Sequence, residues 1–358
     1  GSDLQMPLYM FMLWAWEKVF GHSEFALRAM NVPLFAAALA VVGGCWNATV
    51  VHRVFFVLFA CSSAFLWAYL DEARPYILQF LGATMCVIAM ANVAGSPKPV
   101  RSSDIILFVL GMTVLCGSSL FGAVSGFWFT AGFALLCLKK QSVRELLPRK
   151  DLRTAAAAGL PILLALGVFY YWTLAVGARA SSVGKTGGLN VAHAIYELSG
   201  MAGLGPSRTE LRESPAAIIP FAPILATYVC LVGVLISAWS WFVIHRRYGL
   251  SAGRSSWMIF WLTAIATLGS TFLVGIFGDF RVVGRHTTPV LPFFLMLFSM
   301  AAAILCRRDS GTVARMVTRV AIFVMLSSAL SYRLAARHAK DDYRAAAEFA
   351  RQAIEKGG

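Results

Sequence analysis

Residues 76–94 read Tyr-Ile-Leu-Gln-Phe-Leu-Gly-Ala-Thr-Met-Cys-Val-Ile-Ala-Met-Ala-Asn-Val-Ala, nineteen positions without one charged side chain. At ~1.5 Å per residue such a helix reaches across a hydrocarbon core of ~30 Å. Nine more stretches read the same way, at about 25–46, 52–70, 104–122, 124–138, 154–176, 217–243, 256–277, 287–306 and 315–333. The fourth and fifth of the ten are separated only by Phe121–Ser125. The expectation is an all-α, polytopic transmembrane bundle of about ten spans over residues 25–333, with an external loop at 177–216.

Composition agrees. Of 358 residues, 59% are AVILMFWYC and 13% are charged, where soluble domains carry about 45–50% and about 25%. Too little polar surface remains to clothe a water-soluble globule, which excludes soluble enzymes, secreted disulfide scaffolds and disordered chains. The seven cysteines fall in or beside apolar spans with no CxxC spacing. They signal neither a disulfide framework nor a zinc site, and packing is their expected role.

The net charge of +14 would suggest nucleic acid in a soluble protein. In a membrane protein, Lys and Arg concentrate in cytoplasmic loops. Assigning the loops alternately puts sixteen cations and four acids on one side, a net +12, and fifteen cations and thirteen acids on the other, a net +2. The charge is therefore a topological address, with both termini on the balanced, external side and no nucleic-acid partner. The sequon Asn47-Ala48-Thr49 then falls on the cytoplasmic side and is set aside.

The ends of the chain carry expectations of their own. It opens on Gly1-Ser2 with no cationic leader before Asp3, so at least one upstream span is expected. Within the external segment 1–24, residues 6–20 (MPLYMFMLWAWEKVF) are too short to span. They read as an interfacial helix started by Pro7 and stopped at Gly21, with Tyr9, Trp14 and Trp16 at headgroup level; the rival reading is a broken span. Residues 334–358 read as an external amphipathic helix, capped by Asp341 or Asp342, with Tyr343, Ala347, Ala350 and Ile354 on one face. It is the expected start of a soluble domain.

No expected span carries Asp, Glu, Lys or His near its middle, which argues against an ion-coupled transporter. Polar groups gather at the external edge instead: Asp3, Glu24 and Arg28, then Asp71-Glu72-Ala73-Arg74-Pro75-Tyr76, then loop 177–216, then Asp279, Arg281, Arg285 and His286. The loop exceeds the usual ~12–15 residues of an idle connection, and its residues 190–201 suit a short surface helix. Residues 177–186 (GARASSVGKT) imitate a phosphate loop, but six residues instead of four separate Gly177 from Gly184. That motif is rejected.

The run Asp3-Leu-Gln-Met-Pro-Leu-Tyr9, followed by Trp14, Phe20-Gly21 and Ser23-Glu-Phe-Ala-Leu-Arg28, resembles the outer-loop segment of GT-C glycosyltransferases. These are the polytopic enzymes related to protein O-mannosyltransferases and the lipid A aminoarabinose transferase. Glu72-Ala73-Arg74-Pro75-Tyr76 resembles that family's second external motif, Arg285-His286 through Pro292 its late-span motif, and Asp342–Ala347 its link to a periplasmic domain. The likeness runs in order along essentially the whole chain. It departs where the family's main catalytic Asp follows a first span, since Asp3 matches only the second acidic position.

The resemblance implies inverting transfer of a sugar from a polyprenyl-phosphate donor to a lipid, glycan or protein acceptor. The reaction is expected at the periplasmic face of a bacterial inner membrane. Asp3 is the expected catalytic acid and the one candidate metal ligand, should a divalent ion take part. Arg74 and Arg285 are expected on the phosphate, with Glu72, Tyr76, Glu197 and His286 on sugar or acceptor. Two rival classes remain: an O-antigen ligase or polymerase-like enzyme with a diphosphate-linked donor, and a lipid-linked sugar flippase without catalytic chemistry.

Overall fold

Residues 76–94 form the most enclosed helix of the protein. The computed structural model describes residues 6–141, 145, 150–177, 186–245, 254–277, 281–306 and 311–338, and all regular structure among them is helical. Helix α6 (Tyr76–Gly95) packs against neighbours on every side, and only Leu81, Met85 and its last glycine escape full burial. A helix apolar all round suits a position with no solvent face. Its polar groups are satisfied locally. Gln79 donates to Ser119 Oγ at 3.0 Å, Thr84 to its own helix at Phe80 O, and Asn92 to Cys45 O and Asp104.

The helices preceding α6 are α1 (Pro7–Phe20), α2 (Glu24–Ala29), α3 (Asn31–Cys45), α4 (Val50–Cys61) and α5 (Ala64–Leu70). After it come α7 (Ser102–Ser118), α8 (Leu120–Lys140), α9 (Lys150–Gly177), α10 (Gly188–Leu198), α11 (Arg208–Glu213), α12 (Ala222–His245), α13 (Arg254–Phe277), α14 (Leu291–Leu305) and α15 (Thr312–Leu334). Short 3-10 turns cover Met201–Gly203, Pro215–Phe221, Gly284–Val290 and Ala336–His338. Among the described residues eight helices are long and apolar enough to cross a membrane, α2 and α3 counting as one. A bent pair makes a ninth, and α7 is apolar but only 17 residues long. All ten expected apolar segments are helical.

Two expected boundaries are corrected. Segment 52–70 is not one straight span, because α4 and α5 meet at 59°. Ser62 Oγ donates back to Leu58 O at 2.7 Å, and Ser63 Oγ accepts from Leu66 N, ending one helix and capping the next. The break between the next two spans lies at Ser119 rather than at 121–125. Ser119 is extended and its Oγ accepts from Gly122 N at 3.0 Å, so α8 starts at Leu120. Gly122, which looked like loop, is a packing residue: a Cβ there would lie 2.0 Å from Leu115 O.

Small residues set the closest crossings, as expected for helices that gain little from burying apolar surface in lipid. A Cβ on Gly82 would sit 2.6 Å from Leu115 N, and one on Gly111 would sit 2.8 Å from Cys86 Sγ. Aromatic rings fill the rest of the core. Phe293 lies 4.8 Å from Phe260 and 5.5 Å from Phe129, while Phe108 stacks on Phe133 at 4.0 Å. Cys86, Cys116 and Cys137 are buried and unbridged.

Loops assigned to the same side by charge meet one another in space. At the basic end, Asp104 is buried and accepts from Asn92 Nδ2 and twice from Arg101, whose Nη1 donates to Asn47 Oδ1 at 3.1 Å. The hydrogen bonds to Asp104 raise the Arg101 pKa further. At the charge-balanced end, Arg28, Asp71 and Arg333 join the C-terminal ends of α2, α5 and α15.

Helix α1 begins and ends as expected, with Pro7 at its first turn and Gly21 at φ +85° beyond its last. Phe11, Trp14, Val19 and Phe20 are exposed. Tyr9 is a correction: it is 1% exposed and turned into the bundle, because α1 packs on α7 and α2. The expected surface helix at 190–201 is α10, and it is not superficial. Ala194, Tyr196, Glu197 and Leu198 are buried against the turn at 284–290. Its C-terminal Gly200 (φ +83°) lets the chain reverse, and Ser328 Oγ donates to Gly200 O at 2.6 Å. The expected terminal helix at 334–358 falls mostly outside the described residues, which end with the turn Ala336–His338.

Candidate active site

The turn Asp71–Pro75 joins α5 to α6 and is held from beneath by Asn31. Fully buried in the first turn of α3, Asn31 donates Nδ2 to the carbonyls of Tyr69, Leu70 and Glu72 at 3.4, 3.3 and 2.5 Å. The last carbonyls of a helix have no partner within it, so one amide closes α5 and fixes the direction in which the chain leaves. Glu72, Arg74 and Tyr76 then follow on a short, constrained path.

Tyr76 is buried and edge-on to Tyr69, with ring centroids 4.8 Å apart. Arg74, exposed, hydrogen-bonds the Tyr76 side chain. The Arg285 guanidinium lies over the Tyr76 ring itself, 6.0 Å from its centroid, within cation–π range. Arg285 Nε is buried and has no hydrogen-bond partner. Tyr9 enters from α1 with its hydroxyl also buried and unpartnered. Burial, then the charge of Glu72 and the proximity of Tyr76, raise the Tyr9 pKa well above its ordinary value. The phenol therefore stays protonated and available as a donor. Three segments far apart in sequence thus bring Tyr9, Glu72, Arg74, Tyr76 and Arg285 to one place.

Glu197 and His286 support the turn that carries Arg285. Glu197 is 3% exposed, accepts from Gly284 N at 3.0 Å through Oε2, and has His193 Nδ1 3.9 Å from that oxygen. His286 accepts from Val283 N at 3.1 Å through Nδ1 and stacks on Phe121, centroids 4.4 Å apart. Thr287 and Thr288 donate back to Gly284 O and Arg285 O. Each polar group of this 3-10 turn closes on a neighbour, which leaves Arg285 as the side chain directed at Tyr76. Thr186, from the rejected phosphate-loop motif, accepts from Val282 N at 2.9 Å and anchors the same segment.

Of the expected site residues, Glu72, Arg74, Tyr76 and Arg285 come together, Glu197 and His286 stand behind them, and Asp3 lies outside the described residues. Sequence reasoning assigned Tyr9 to the headgroups and gave Asn31 and Arg333 no role. An amide at the first turn of an apolar span was the available signal for Asn31. Beyond its place at the end of the Asp3–Tyr9 run, nothing in the residue pattern marked Tyr9 apart from the other rings of a helix apolar all round. Among the described residues no three His, Cys, Asp or Glu side chains converge as a metal site. No protein-family model matches the chain, and neither does any curated protein or solved structure.

Proposed function

We propose that this chain is a GT-C-type glycosyltransferase. It moves a sugar from a polyprenyl-phosphate donor to an acceptor hydroxyl or amine at the charge-balanced end of the bundle. In this reading that end faces the periplasm of a bacterial inner membrane. The observation that carries it is the convergence of Arg74, Arg285, Tyr76, Tyr9 and Glu72. Two guanidinium groups meet there with a buried phenol that has a donor to give and with a carboxylate.

The chemistry follows from those groups. The acceptor nucleophile attacks the anomeric carbon as the bond from that carbon to the phosphate oxygen breaks. Polyprenyl phosphate leaves with the electron pair, and the anomeric centre inverts. Negative charge grows on the departing phosphate, where preorganised donors are worth most. Arg285 and Arg74 supply those donors, through charge-assisted bonds that planar guanidinium forms in pairs. The acceptor proton passes to a carboxylate acting as general base. Asp3, four positions before Pro7 in the sequence, is the first assignment and Glu72 the second. The described residues offer no donor set that fits a divalent ion, so no step is routed through one.

The full chain in nanodiscs, supplied with radiolabelled sugars on polyprenyl monophosphate and on polyprenyl diphosphate, tests the reading. Transfer from the monophosphate alone supports it. Transfer from the diphosphate alone points to a ligase-like enzyme, and passage of lipid-linked sugar between leaflets without transfer points to a flippase. Either result overturns the proposal.

A further inference from the structure

A cavity of about 220 Å³ opens at the charge-balanced end, lined by Arg28, Trp67, Asp71, Tyr332, Arg333 and His338. It shares no lining residue with the cluster of Tyr9, Glu72, Arg74, Tyr76 and Arg285. A crevice of about 10 Å³, lined among others by Ala68, Tyr332 and Glu197, lies between the cavity and the Arg285 turn. It has room for about one water. The cavity is therefore built from a different set of side chains, although Asp71 of its lining directly precedes Glu72 of the cluster.

Its polar floor is one network. Asp71 accepts from Arg28 Nη1 at 3.3 Å and from Arg333 Nη1, and Arg28 also pairs with Glu24. Both guanidinium groups pair with Asp71, and Glu24, which is not part of the lining, pairs with Arg28 as well, so each guanidinium already has a carboxylate partner. Its walls are aromatic. Trp67 is held by a bond from its Nε1 to Cys61 O at 2.8 Å, and the Tyr332 ring stacks on His338 with centroids 5.3 Å apart. That stack folds the turn Ala336–His338 against the end of α15.

We propose that this cavity binds one neutral sugar unit. A dianionic phosphate would have to displace a carboxylate from guanidinium groups already paired and would lie against Asp71, whereas hydroxyl groups can accept from guanidinium and donate to carboxylate at once. Flat rings provide the apolar wall that the C–H face of a sugar needs, and few polar groups on aromatic walls are the usual make-up of a ligand pocket. The volume also selects. Pockets for drug-sized ligands run roughly 300–1,000 Å³, so this one suits a single ring and excludes a lipid chain. An ion-pair tie between helix ends would need neither the void nor the aromatic walls. The inference goes beyond the proposed transfer reaction and stands without it.

Ligand-observed saturation-transfer NMR on the full chain in nanodiscs tests it, with neutral hexoses, N-acetylhexosamines and inorganic phosphate as probes. At least one neutral sugar binds, and Trp67→Leu and Arg333→Gln each weaken it about tenfold or more, while Arg285→Gln leaves it unchanged. Tyr332→Leu replaces either cavity variant that lowers the melting temperature. Binding of phosphate alone, binding of none of the probes, or sugar binding that survives the cavity substitutions overturns the proposal. Sugar binding that falls only with Arg285→Gln also overturns it, by placing the sugar at the transferase site. Absence of transfer by the parent chain from either donor, with sugar binding intact, would sink the transferase reading and leave the cavity standing.

Discussion

The Arg285 guanidinium lies 6.0 Å from the centroid of the Tyr76 ring, joining the turn before α14 to the first residue of α6. Neither residue reaches the other by local structure. The contact exists because Asn31 shapes the turn before Tyr76 and Glu197 holds the residue before Arg285.

Replacement of Arg285 tests the phosphate assignment. Arg285→Ala is expected to lower kcat/KM for the polyprenyl-phosphate donor by about 10²–10³-fold, the usual loss for one preorganised donor to a developing anion. Arg285→Lys recovers little, because an ammonium neither forms paired bonds nor stacks as a planar guanidinium does. Full activity in Arg285→Ala removes this residue from the mechanism.

Tyr9→Phe separates stability from function. The hydroxyl is buried without a partner, and leaving such a group unpaired costs about 1–3 kcal/mol, so the variant is expected to melt no lower than the parent. Transfer falls if that hydroxyl meets substrate, and a rise in KM reads it. The pH dependence has a definite sign. With the folded pKa raised, the unfolded state loses its proton first, and stability drops as pH rises above about 10. A melting curve of Tyr9→Phe is therefore less steep in alkali than that of the parent, and identical slopes refute this.

Asn31→Ala frees the carbonyls of Tyr69, Leu70 and Glu72 in a buried place. A loss of about 1–3 kcal/mol is expected, together with reduced transfer, because Glu72, Arg74 and Tyr76 follow that turn. Denaturation of the detergent-solubilised chain reads the first effect and the transfer assay the second. Reduced stability with normal turnover would make Asn31 purely structural.

Gly284→Ala places a Cβ 2.1 Å from Glu197 Oε2. The carboxylate cannot give way without releasing Gly284 N, so overpacking of about 1–3 kcal/mol is expected. Glu197→Gln keeps an acceptor oxygen and is expected to be mild. Glu197→Ala leaves a buried amide unpaired and lowers transfer through the position of Arg285. If Glu197→Gln and Glu197→Ala behave alike in thermal melts and turnover, the bond to Gly284 does not position the turn.

Much of the architecture was legible in the chain. Long uncharged runs can satisfy their backbone groups only as helices in an apolar medium, so the helical class and all ten segments follow from composition and length. The grouping of loops by charge also matches which loops touch, as in Asn47 with Arg101 and Arg28 with Asp71. The breaks were harder. Ser62 ends one helix and Ser63 and Ser119 start others through their hydroxyls, yet Ser125, Ser299 and Ser328 lie inside continuous helices and bond backward or outward. A serine hydroxyl can do either, and the choice depends on what packs around it.

The candidate site divides the same way. Residue types placed Glu72, Arg74, Tyr76 and Arg285 among the polar groups at the edge of an apolar bundle, and the family resemblance picked them out from the other charges there. Tyr9 did not stand apart, since α1 is apolar on every face and periodicity cannot say which ring turns inward. Its burial was decided by the contact of α1 with α7, where a Cβ on Gly117 would lie 2.9 Å from Leu8 Cβ. Hydropathy and charge act along the chain and are written in it. Which polar groups meet is settled by the close approach of helices distant in sequence, and only the tertiary structure contains that.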